Sequence, residues 1–527
     1  MKPEKIILFE SSLRDGAQAR GITFSLPDKL KMVALLDELG MDYIEAGNPA
    51  SNPKERAFFE AAAELRLKNS RLTAFGATCR KQTRPGDDPA VLALLSAGTP
   101  AVAIFGKAWD LHVTHVLGAT LDENLQMIRD TVAFFRERGR EVIFDAEHFF
   151  DGYRCNREYA LAALEAAADG GAACLALCDT NGGALPWDVE AAVADVCGCT
   201  TVTVGIHAHN DSELAVANTL TAVRAGARHV QGTLLGFGER CGNARLTSII
   251  PNLELKMGLT AVGAERLAAL TDRALEAADV ANRALDDKLP YVGRDAFAHK
   301  GGMHIDGVSK LPRSFEHVDP AQVGNSRGFM LSEVAGRSAL SLKLQAQFQQ
   351  LSRDSEATRA LIEKLKELEN EGYSYEGAES SFELVVRKHL GLYRPSFELT
   401  HYKVMDEPNG MPGSLGAYAV VKVDVQGEQR MAAADGNGPV NALDKALREA
   451  LSNYFPELSR VSLVDYKVRV LDTREATAAR VRVVIQSTDG RSTWSTLGVS
   501  SDVIEASLHA LIDSIEYKLL SSESETV

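Results

Sequence analysis

The sequence has few cysteines, no long apolar run and no excess of basic residues, and each absence excludes a class of protein. Its 527 residues include seven cysteines. This odd, sparse set argues against a disulfide framework and predicts a reducing compartment, which we expect to be the cytoplasm. No run of about 18 apolar residues occurs, so we expect no membrane-spanning helix. The formal net charge of −15 argues against nucleic acid and anionic membranes as partners.

Strand-like and helix-like stretches alternate regularly over the first part of the chain. Short apolar runs, each followed by a helix-like stretch, begin at Ile6, Tyr43, Leu72, Val102, Val142, Cys174, Val202 and Val230. Eight such units in about 250 residues predict a (βα)8 TIM barrel. The alternative is a doubly wound open sheet, but its usual Gly-x-Gly-x-x-Gly turn after the first strand is missing.

The pattern changes twice after the barrel. From about Leu259 helical stretches dominate, and they surround the segment AFAHKGGMHIDGVSKLPRS, which we expect to be a loop placed for function. Alternating, strand-like runs return after Ser374 as SFELVVRKHL, AYAVVKVDVQG, YKVRVLDT and ARVRVVIQS, with helices beginning near Val440 and Asp502. We therefore predict a barrel over residues 1–258, a helical linker over 259–371 and a C-terminal α+β domain over 372–527.

Polar residues follow six of the eight predicted strands. They are Arg14 and Asp15, Glu45, Asp145 and Glu147, Asp179 and Thr180, His207 and His209, and Glu239 and Asn243. Catalytic groups of a TIM barrel lie at the carboxyl ends of its strands. A helix cap or a satisfied core group would explain one such residue, but not a set spread over six strands. The pattern predicts a shared site at the mouth of the barrel.

The His-x-His pair is the sharpest local feature. Residues i and i+2 of a strand face the same way, so His207 and His209 are spaced to share a metal ion. A structural hydrogen-bonding role is the alternative for each histidine. Adding the Asp15 carboxylate gives a two-histidine, one-carboxylate set with open coordination positions. Such a set admits Mg²⁺, Mn²⁺, Zn²⁺ or Co²⁺.

Two further residues have a chemical and a structural interpretation. A metal ion and the guanidinium of Arg14 can together stabilise negative charge that develops on a carbonyl oxygen. The alternative for Arg14 is a surface ion pair with Asp15. Glu147 is placed to orient a substrate or to accept a proton, and its alternative role is a structural ion pair.

Several sequence motifs of the chain resemble those of a known family. The motifs SLRDGAQARG, YIEAGNPASNPKE, FDAEHFFDGY, CDTNGG, GIHAHND, QGTLLGFGERCGNARL and AFAHKGGMHIDGVSK occur in this order. Together they look like the citramalate synthases, relatives of the 2-isopropylmalate and homocitrate synthases in the DRE-TIM metallolyase superfamily. The later stretches YSYEGAESSFELVVR and DGNGPVNALDKAL resemble the C-terminal regulatory domain of that family. The resemblance covers nearly the whole chain.

The resemblance implies a metal-dependent Claisen condensation of acetyl-CoA with pyruvate, which gives (R)-citramalate and free CoA for isoleucine biosynthesis. The metal, most simply Mg²⁺ or Mn²⁺, would be held by Asp15, His207 and His209, with Asn243 beside it. Arg14 would polarise the 2-oxo group, Thr180 would hold the substrate carboxylate, Asp306 would lie near the substrate, and Glu147 and His304 would assist proton removal from the acetyl methyl.

The resemblance also implies an assembly and a regulator. The family's linker histidine, here His304, reaches the barrel of the partner subunit, so we expect a homodimer. The C-terminal domain implies feedback inhibition, with isoleucine as the expected effector. Three alternatives stay open: a related synthase using another 2-oxo acid, a metal-dependent acyl-CoA lyase or aldolase, and an amino-acid sensor built on an inactive barrel. The sequence Asp-Ala-Glu-His at 145–148 differs from the Ser-Pro-Glu-Asp type of isopropylmalate synthases, which favours a different 2-oxo acid.

Overall fold

The computed structural model describes residues 4–329, 356–375, 377–408, 415–471, 479–490 and 492–524. Its residues divide into two compact units. The first runs up to Ala298 and includes Glu316–Gly328, and the second consists of His299–Phe315 and the chain from Phe329 onward. Among the described helices, none combines the length and the apolar composition that crossing a membrane requires.

Eight parallel strands within residues 4–329 close into a barrel in sequence order, and the last pairs with the first. The strands are β1 (Ile7–Glu10), β2 (Tyr43–Glu45), β3 (Arg71–Ala77), β4 (Ala101–Lys107), β5 (Glu141–Glu147), β6 (Cys174–Asp179), β7 (Thr203–Ala208) and β8 (His229–Gly232). Each begins within one residue of its predicted start. The predicted (βα)8 barrel is therefore confirmed.

The strands are buried on both faces, which explains why they are nearly continuous apolar runs. Successive residues of a strand point to opposite sides. Phe9 and Ala103 belong to the small cluster that fills the barrel interior. Their neighbours Leu8, Val102 and Ile104 belong to the large cluster between the strands and the surrounding helices. This double burial leaves the strand ends as the places where polar groups meet solvent.

The helices of the first unit lie around the barrel. They are α1 (Leu26–Leu39), α2 (Pro53–Ala62), α3 (Pro89–Ser96), α4 (Leu121–Glu137), α5 (Phe149–Cys155), α6 (Arg157–Gly170), α7 (Pro186–Cys199), α8 (Ala215–Ala225), α9 (Leu246–Pro251), α10 (Ala264–Leu267) and α11 (Leu270–Val280). Helix α1 shows the local signals clearly. Ser25 and Asp28 form a capping box, and Pro27 lies in the first turn. Gly40 ends the helix at φ 88°, a left-handed conformation that favours glycine.

The segment predicted as a functional loop contains a helix instead, α12 (Gly302–Lys310). Ile305 and Val308 lie three residues apart on one helical face, and both are buried. Glycines 301, 302 and 307 lower the helix propensity of this stretch, so its sequence alone is typical of a loop. Burial of the apolar face outweighs that propensity, and the prediction of a loop is wrong for these nine residues.

The second unit adds α13 (Glu356–Asn370) and then two antiparallel three-stranded sheets with helices. The first sheet contains β11 (Glu398–Pro408), β12 (Leu415–Val425) and β13 (Glu428–Gly436), and the second contains β14 (Ser462–Val470), β15 (Val481–Thr488) and β16 (Thr493–Ser500). The remaining helices are α14 (Glu379–His389), α15 (Pro439–Leu451) and α16 (Val503–Ser524), and two short strands, β9 (Ala298–His299) and β10 (Gly328–Phe329), pair with each other. The expected α+β architecture is confirmed.

One predicted strand is wrong. SFELVVRKHL alternates apolar and polar residues at Phe382, Leu384 and Val386, but it forms helix α14. The same residues also satisfy a helical period, because Phe382 and Val386 are four apart and both buried. Glu383 and Arg387 form an i,i+4 ion pair of 2.7 Å along the helix. Both periods fit so short a run, and packing against the rest of the unit decides between them.

Candidate metal centre and active site

Asp15, His207 and His209 come together at the mouth of the barrel and are all buried. Asp15 lies in the turn after β1, His207 lies near the end of β7, and His209 follows that strand. The Nε2 atoms of the two histidines are 3.3 Å apart. Oδ2 of Asp15 lies 3.4 Å from Nε2 of His207 and 3.8 Å from Nε2 of His209. The three residues form a candidate metal site, as the sequence predicts.

The arrangement fits a divalent ion. Neighbouring ligand atoms bound about 2.1 Å from one ion are separated by about 3–3.5 Å, close to the distances found here. Oδ1 of Asp15 and Oδ1 of Asn243 are buried without a hydrogen-bond partner among the described residues. The backbone of Asn243 bridges to that of His209, and its amide nitrogen donates to the Phe237 carbonyl, which leaves Oδ1 as an acceptor. Unpaired buried oxygens beside two histidines are what a bound cation would satisfy.

Burial and neighbouring charges shift the pKa values of the three candidate ligands. Although burial alone would raise it, the pKa of Asp15 is held well below its usual range by Arg14 and the two histidines. Burial opposes ionisation of His207, but the contact with Asp15 raises its pKa overall. Burial, reinforced by the nearby His207, lowers the pKa of His209 to about 4. At neutral pH the site therefore offers a carboxylate and a neutral His209, both in the protonation states that bind a cation.

Arg14 is fixed from three sides. Its Nε donates to Glu45 at 2.6 Å and its Nη1 to Asp15 at 3.2 Å. Its guanidinium carbon lies 3.8 Å from the ring centroid of Phe75, which stacks on Phe105 with centroids 5.3 Å apart. Arg14 is therefore not a surface ion pair. These contacts fix the planar guanidinium beside Asp15 of the candidate metal site.

Glu147 ends β5 and forms an ion pair with Lys107, which ends β4. Both side chains are partly exposed at the mouth, at 24% and 18%. Thr180 lies on the next strand's loop, and its hydroxyl oxygen accepts from the backbone N–H of His148 at 2.9 Å. The hydroxyl proton of Thr180 is left to point elsewhere.

Arg240, in the loop after β8, bonds to the loops that follow β6 and β7. Arg240 forms a bidentate ion pair with Asp211, with Nε 2.7 Å from Oδ1 and Nη2 2.9 Å from Oδ2. Its Nη2 also donates to the Thr180 carbonyl oxygen at 2.8 Å. Gly182 permits this close approach, because a Cβ there would lie 2.4 Å from the Asp211 carboxylate and its φ is 64°. The pair fixes the loop bearing Thr180 against the loop that follows His209.

His304 and Asp306, the predicted contributors from the linker, lie on α12 in the second unit. His304 is exposed, and its ring lies 4.6 Å from that of Phe315. Asp306 forms an ion pair of 2.5 Å with Lys310, one turn along the helix. Their part in the active site stays a prediction.

Sequence reasoning missed several residues of the mouth. They are Phe75 on β3, Phe105 and Lys107 on β4, and Gln231 on β8. Lys107 had a signal, because it is a charged residue at the end of an apolar strand. Gln231 is a polar residue inside an apolar run and is fully buried. The aromatic pair had no signal beyond ordinary core composition.

Three known family models match consecutive segments of the chain. The HMGL-like family model matches residues 5–273, the homocitrate synthase post-HMGL domain-like model matches 291–373, and the LeuA allosteric (dimerisation) domain model matches 376–519. The (R)-citramalate synthase of Aquifex aeolicus is 49% identical over 99% of this chain and 99% of its own. That of Geobacter sulfurreducens is 44% identical over 98% of each.

The chain belongs to the (R)-citramalate synthase family. A different enzyme of Aquifex aeolicus, named 2-isopropylmalate synthase, is 30% identical over 99% of this chain and 97% of its own. Of these two proteins from one organism, the citramalate synthase is the nearer relative by a wide margin. The family resemblance expected from the motifs is confirmed.

Proposed function

We propose that this chain condenses acetyl-CoA with pyruvate and then hydrolyses the thioester, releasing (R)-citramalate and CoA. The observation that carries the proposal is the buried Asp15, His207 and His209 set with Arg14 fixed beside it, in a chain whose relatives of 43–49% identity are named (R)-citramalate synthase. The product would supply a precursor for isoleucine synthesis.

Asp15, His207 and His209 would hold the metal, with Asn243 adjacent, and we assign Mg²⁺ or Mn²⁺ with Zn²⁺ and Co²⁺ as alternatives. When bound, a divalent cation supplies a Lewis acid that polarises the keto oxygen of a chelating 2-oxo acid. The carboxylate and amide oxygens of Asp15 and Asn243 suit Mg²⁺ and Mn²⁺, and the two imidazoles keep the other ions acceptable.

Arg14 and Thr180 would position pyruvate. The donors of Arg14 that Glu45 and Asp15 do not use are free to meet the keto oxygen, where negative charge grows as the new bond forms. The Thr180 hydroxyl, which accepts from His148, would donate its proton to the substrate carboxylate. Asp306 would be a further substrate-binding residue.

Glu147 would take a proton from the methyl group of acetyl-CoA, and His304 would assist it. The resulting carbon nucleophile attacks the keto carbon of pyruvate, so one C–C bond forms and the keto oxygen receives a proton. Water then cleaves the thioester, which releases the CoA thiol and leaves a second carboxylate. Lys107 would hold the Glu147 carboxylate at the mouth, where a precise position contributes to proton transfer.

The identity contrast supports pyruvate over 2-oxoisovalerate. The citramalate synthase of Aquifex aeolicus is 49% identical to this chain, whereas the 2-isopropylmalate synthase of the same organism is 30% identical. The two names specify different products, which form from different 2-oxo acids, so the larger identity to the citramalate synthase favours pyruvate as the acceptor here.

We also propose that three segments of the chain have different functions. Residues 1–258 would carry catalysis, 259–371 would form the linker that bears His304, and 372–527 would form the regulatory and dimerisation domain. The match of residues 376–519 to the LeuA allosteric (dimerisation) domain supports the last assignment. A homodimer would let His304 of one subunit reach the partner barrel, and isoleucine would act as a feedback inhibitor.

The test is CoA release from acetyl-CoA with pyruvate, 2-oxoisovalerate or 2-oxoglutarate, each assayed with Mg²⁺, with Mn²⁺ and with a chelator. We expect metal-dependent turnover with pyruvate and identification of citramalate as the product. Turnover confined to 2-oxoisovalerate would overturn the substrate assignment. Equal turnover in the presence of the chelator would overturn the metal assignment.

A further inference from the structure

Gln231 connects a metal-site histidine to a buried carboxylate on the far side of the barrel. It lies on β8 directly beside His207 of β7 in the strand register. Its Oε1 is 2.8 Å from Nδ1 of His207, and its Nε2 donates to Oδ1 of Asp145 on β5 at 2.8 Å. Gln231 is fully buried, and Asp145 and His207 are nearly so, so water does not compete for these bonds.

The chain of bonds has a direction. An ionised carboxylate only accepts hydrogen bonds, so Asp145 takes the amide N–H of Gln231. The amide oxygen of Gln231 is then turned toward His207, and this oxygen can only accept. His207 must therefore carry its proton on Nδ1. The lone pair of its Nε2 consequently points to the side where Asp15 and His209 lie.

The second histidine of the site lacks this arrangement. Nδ1 of His209 is buried with no hydrogen-bond partner among the described residues. A hydrogen bond to Nδ1, the ring nitrogen that faces away from Asp15, therefore orients His207 but not His209. The tautomer of one ligand is set by Gln231, which is in turn set by Asp145.

We infer that Gln231 is a positioning residue of the metal centre, which with Asp145 fixes His207 in the tautomer that can bind a cation. The inference rests on the proposed metal-dependent function. Loss of a hydrogen-bonded partner behind a ligand typically weakens metal binding by about 10–100-fold. The same loss is expected here when the amide of Gln231 is removed.

The experiment is a Mn²⁺ titration of the metal-free, full-length enzyme, followed by the electron paramagnetic resonance signal of free Mn²⁺. Gln231→Met, which keeps the side-chain length but removes the amide, should raise the Kd by about 10–100-fold. Asn218→Met is the matched control. It removes another buried amide, whose Nδ2 donates to the Ala184 carbonyl away from the metal ligands, and should leave the Kd unchanged.

A double exchange tests the direction of the bonds. In Gln231→Glu combined with Asp145→Asn, the new carboxylate accepts from Nδ1 of His207 and the new amide donates to that carboxylate, with no change in net charge. This variant should bind Mn²⁺ nearly as tightly as the wild type. Recovery of the Kd separates orientation of His207 from a general packing defect, as does a melting temperature measured for each variant.

The outcomes are distinguishable. If the wild type binds no Mn²⁺, the metal site and the proposed function fail together with this inference. If the wild type binds Mn²⁺ and Gln231→Met binds it equally well, the inference alone is overturned. A double-exchange variant as weak as Gln231→Met would also overturn it, because the direction of the bonds would then be irrelevant.

Discussion

The barrel and the second unit differ in how their sequences relate to chemistry. Parallel strands of the barrel are buried on both faces, so a polar residue at a strand end, such as His207 or Glu147, stands out against an apolar run. Strands of the second unit are antiparallel and solvated on one face. On β15 buried and partly buried residues alternate from Val483 to Thr488, and polar residues such as Arg482 and Gln486 occur within the strand. The second pattern predicts a sheet but marks no site.

The barrel differs most from the second unit at the candidate metal ligands, where we expect the largest effect of any single change. His207→Ala removes a ligand from the candidate metal site and should lower kcat/KM by more than about 100-fold, the upper limit for a residue behind a ligand. Circular dichroism should show the fold retained. The matched control is His401→Ala in the second unit, an exposed histidine whose loss should leave turnover at the wild-type level. An active His207→Ala enzyme would remove His207 from the ligand set.

A smaller loss is expected at Arg14. Arg14→Lys keeps the charge but removes the planar fork that meets Glu45 and Asp15 and the stacking on Phe75. Because the lost donors would act on developing charge, kcat should fall by about 100-fold with little change in the KM for acetyl-CoA. Arg20→Lys, at an exposed position on the same loop, is the control. Equal kinetics for the two variants would contradict the role of Arg14.

The contrast between a catalytic barrel and a regulatory C-terminal domain would be wrong if the effector bound to the barrel. Hydrogen exchange measured with and without isoleucine should show slower exchange within residues 376–519 and no change in β1–β8. A coupling free energy of about 1–3 kcal/mol is typical of allosteric pairs, so the apparent inhibition should be about 10-fold at saturating isoleucine. Protection confined to the mouth of the barrel would indicate competition at the active site and contradict the assignment of the regulatory domain.

The smallest effect concerns two buried carboxyls with raised pKa values, Glu10 in the first unit and Glu516 in the second. Burial raises the pKa of Glu10 to about 7, despite hydrogen bonds from Ser12 and Leu234. The group ionises less readily in the folded than in the unfolded chain, so the wild type loses stability as the pH rises from about 4.5 to about 7. Glu10→Gln cannot ionise. Its melting temperature relative to the wild type should increase across that interval, by a few degrees, and then level off.

Glu516 provides the counterpart in the second unit. Burial raises its pKa as well, and the N–H and hydroxyl of Ser396 donate to it. Glu516→Gln should show the same sign as Glu10→Gln with a smaller change. A melting temperature difference that does not depend on pH for Glu10→Gln would contradict the effect of burial.

The barrel and the candidate metal cluster were predictable from the sequence because both depend on local patterns. Apolar runs of defined length locate the strands, and the spacing of His207 and His209 places them on one face. Two features depended on long-range packing and were not predictable. SFELVVRKHL fits both a strand and a helix period, and only contacts with distant residues select helix α14. The partner of Gln231 is on β5, 86 residues earlier in the chain, and no local pattern connects the two.

The proposed function depends most directly on a metal ion bound by Asp15, His207 and His209. Diffraction from crystals grown with Mn²⁺, recorded on both sides of the manganese absorption edge, locates that ion independently of activity. We predict an anomalous peak about 2.0–2.2 Å from Nε2 of both histidines and from a carboxylate oxygen of Asp15. Full Mn²⁺ occupancy at another group of side chains, with this set empty, would contradict the account.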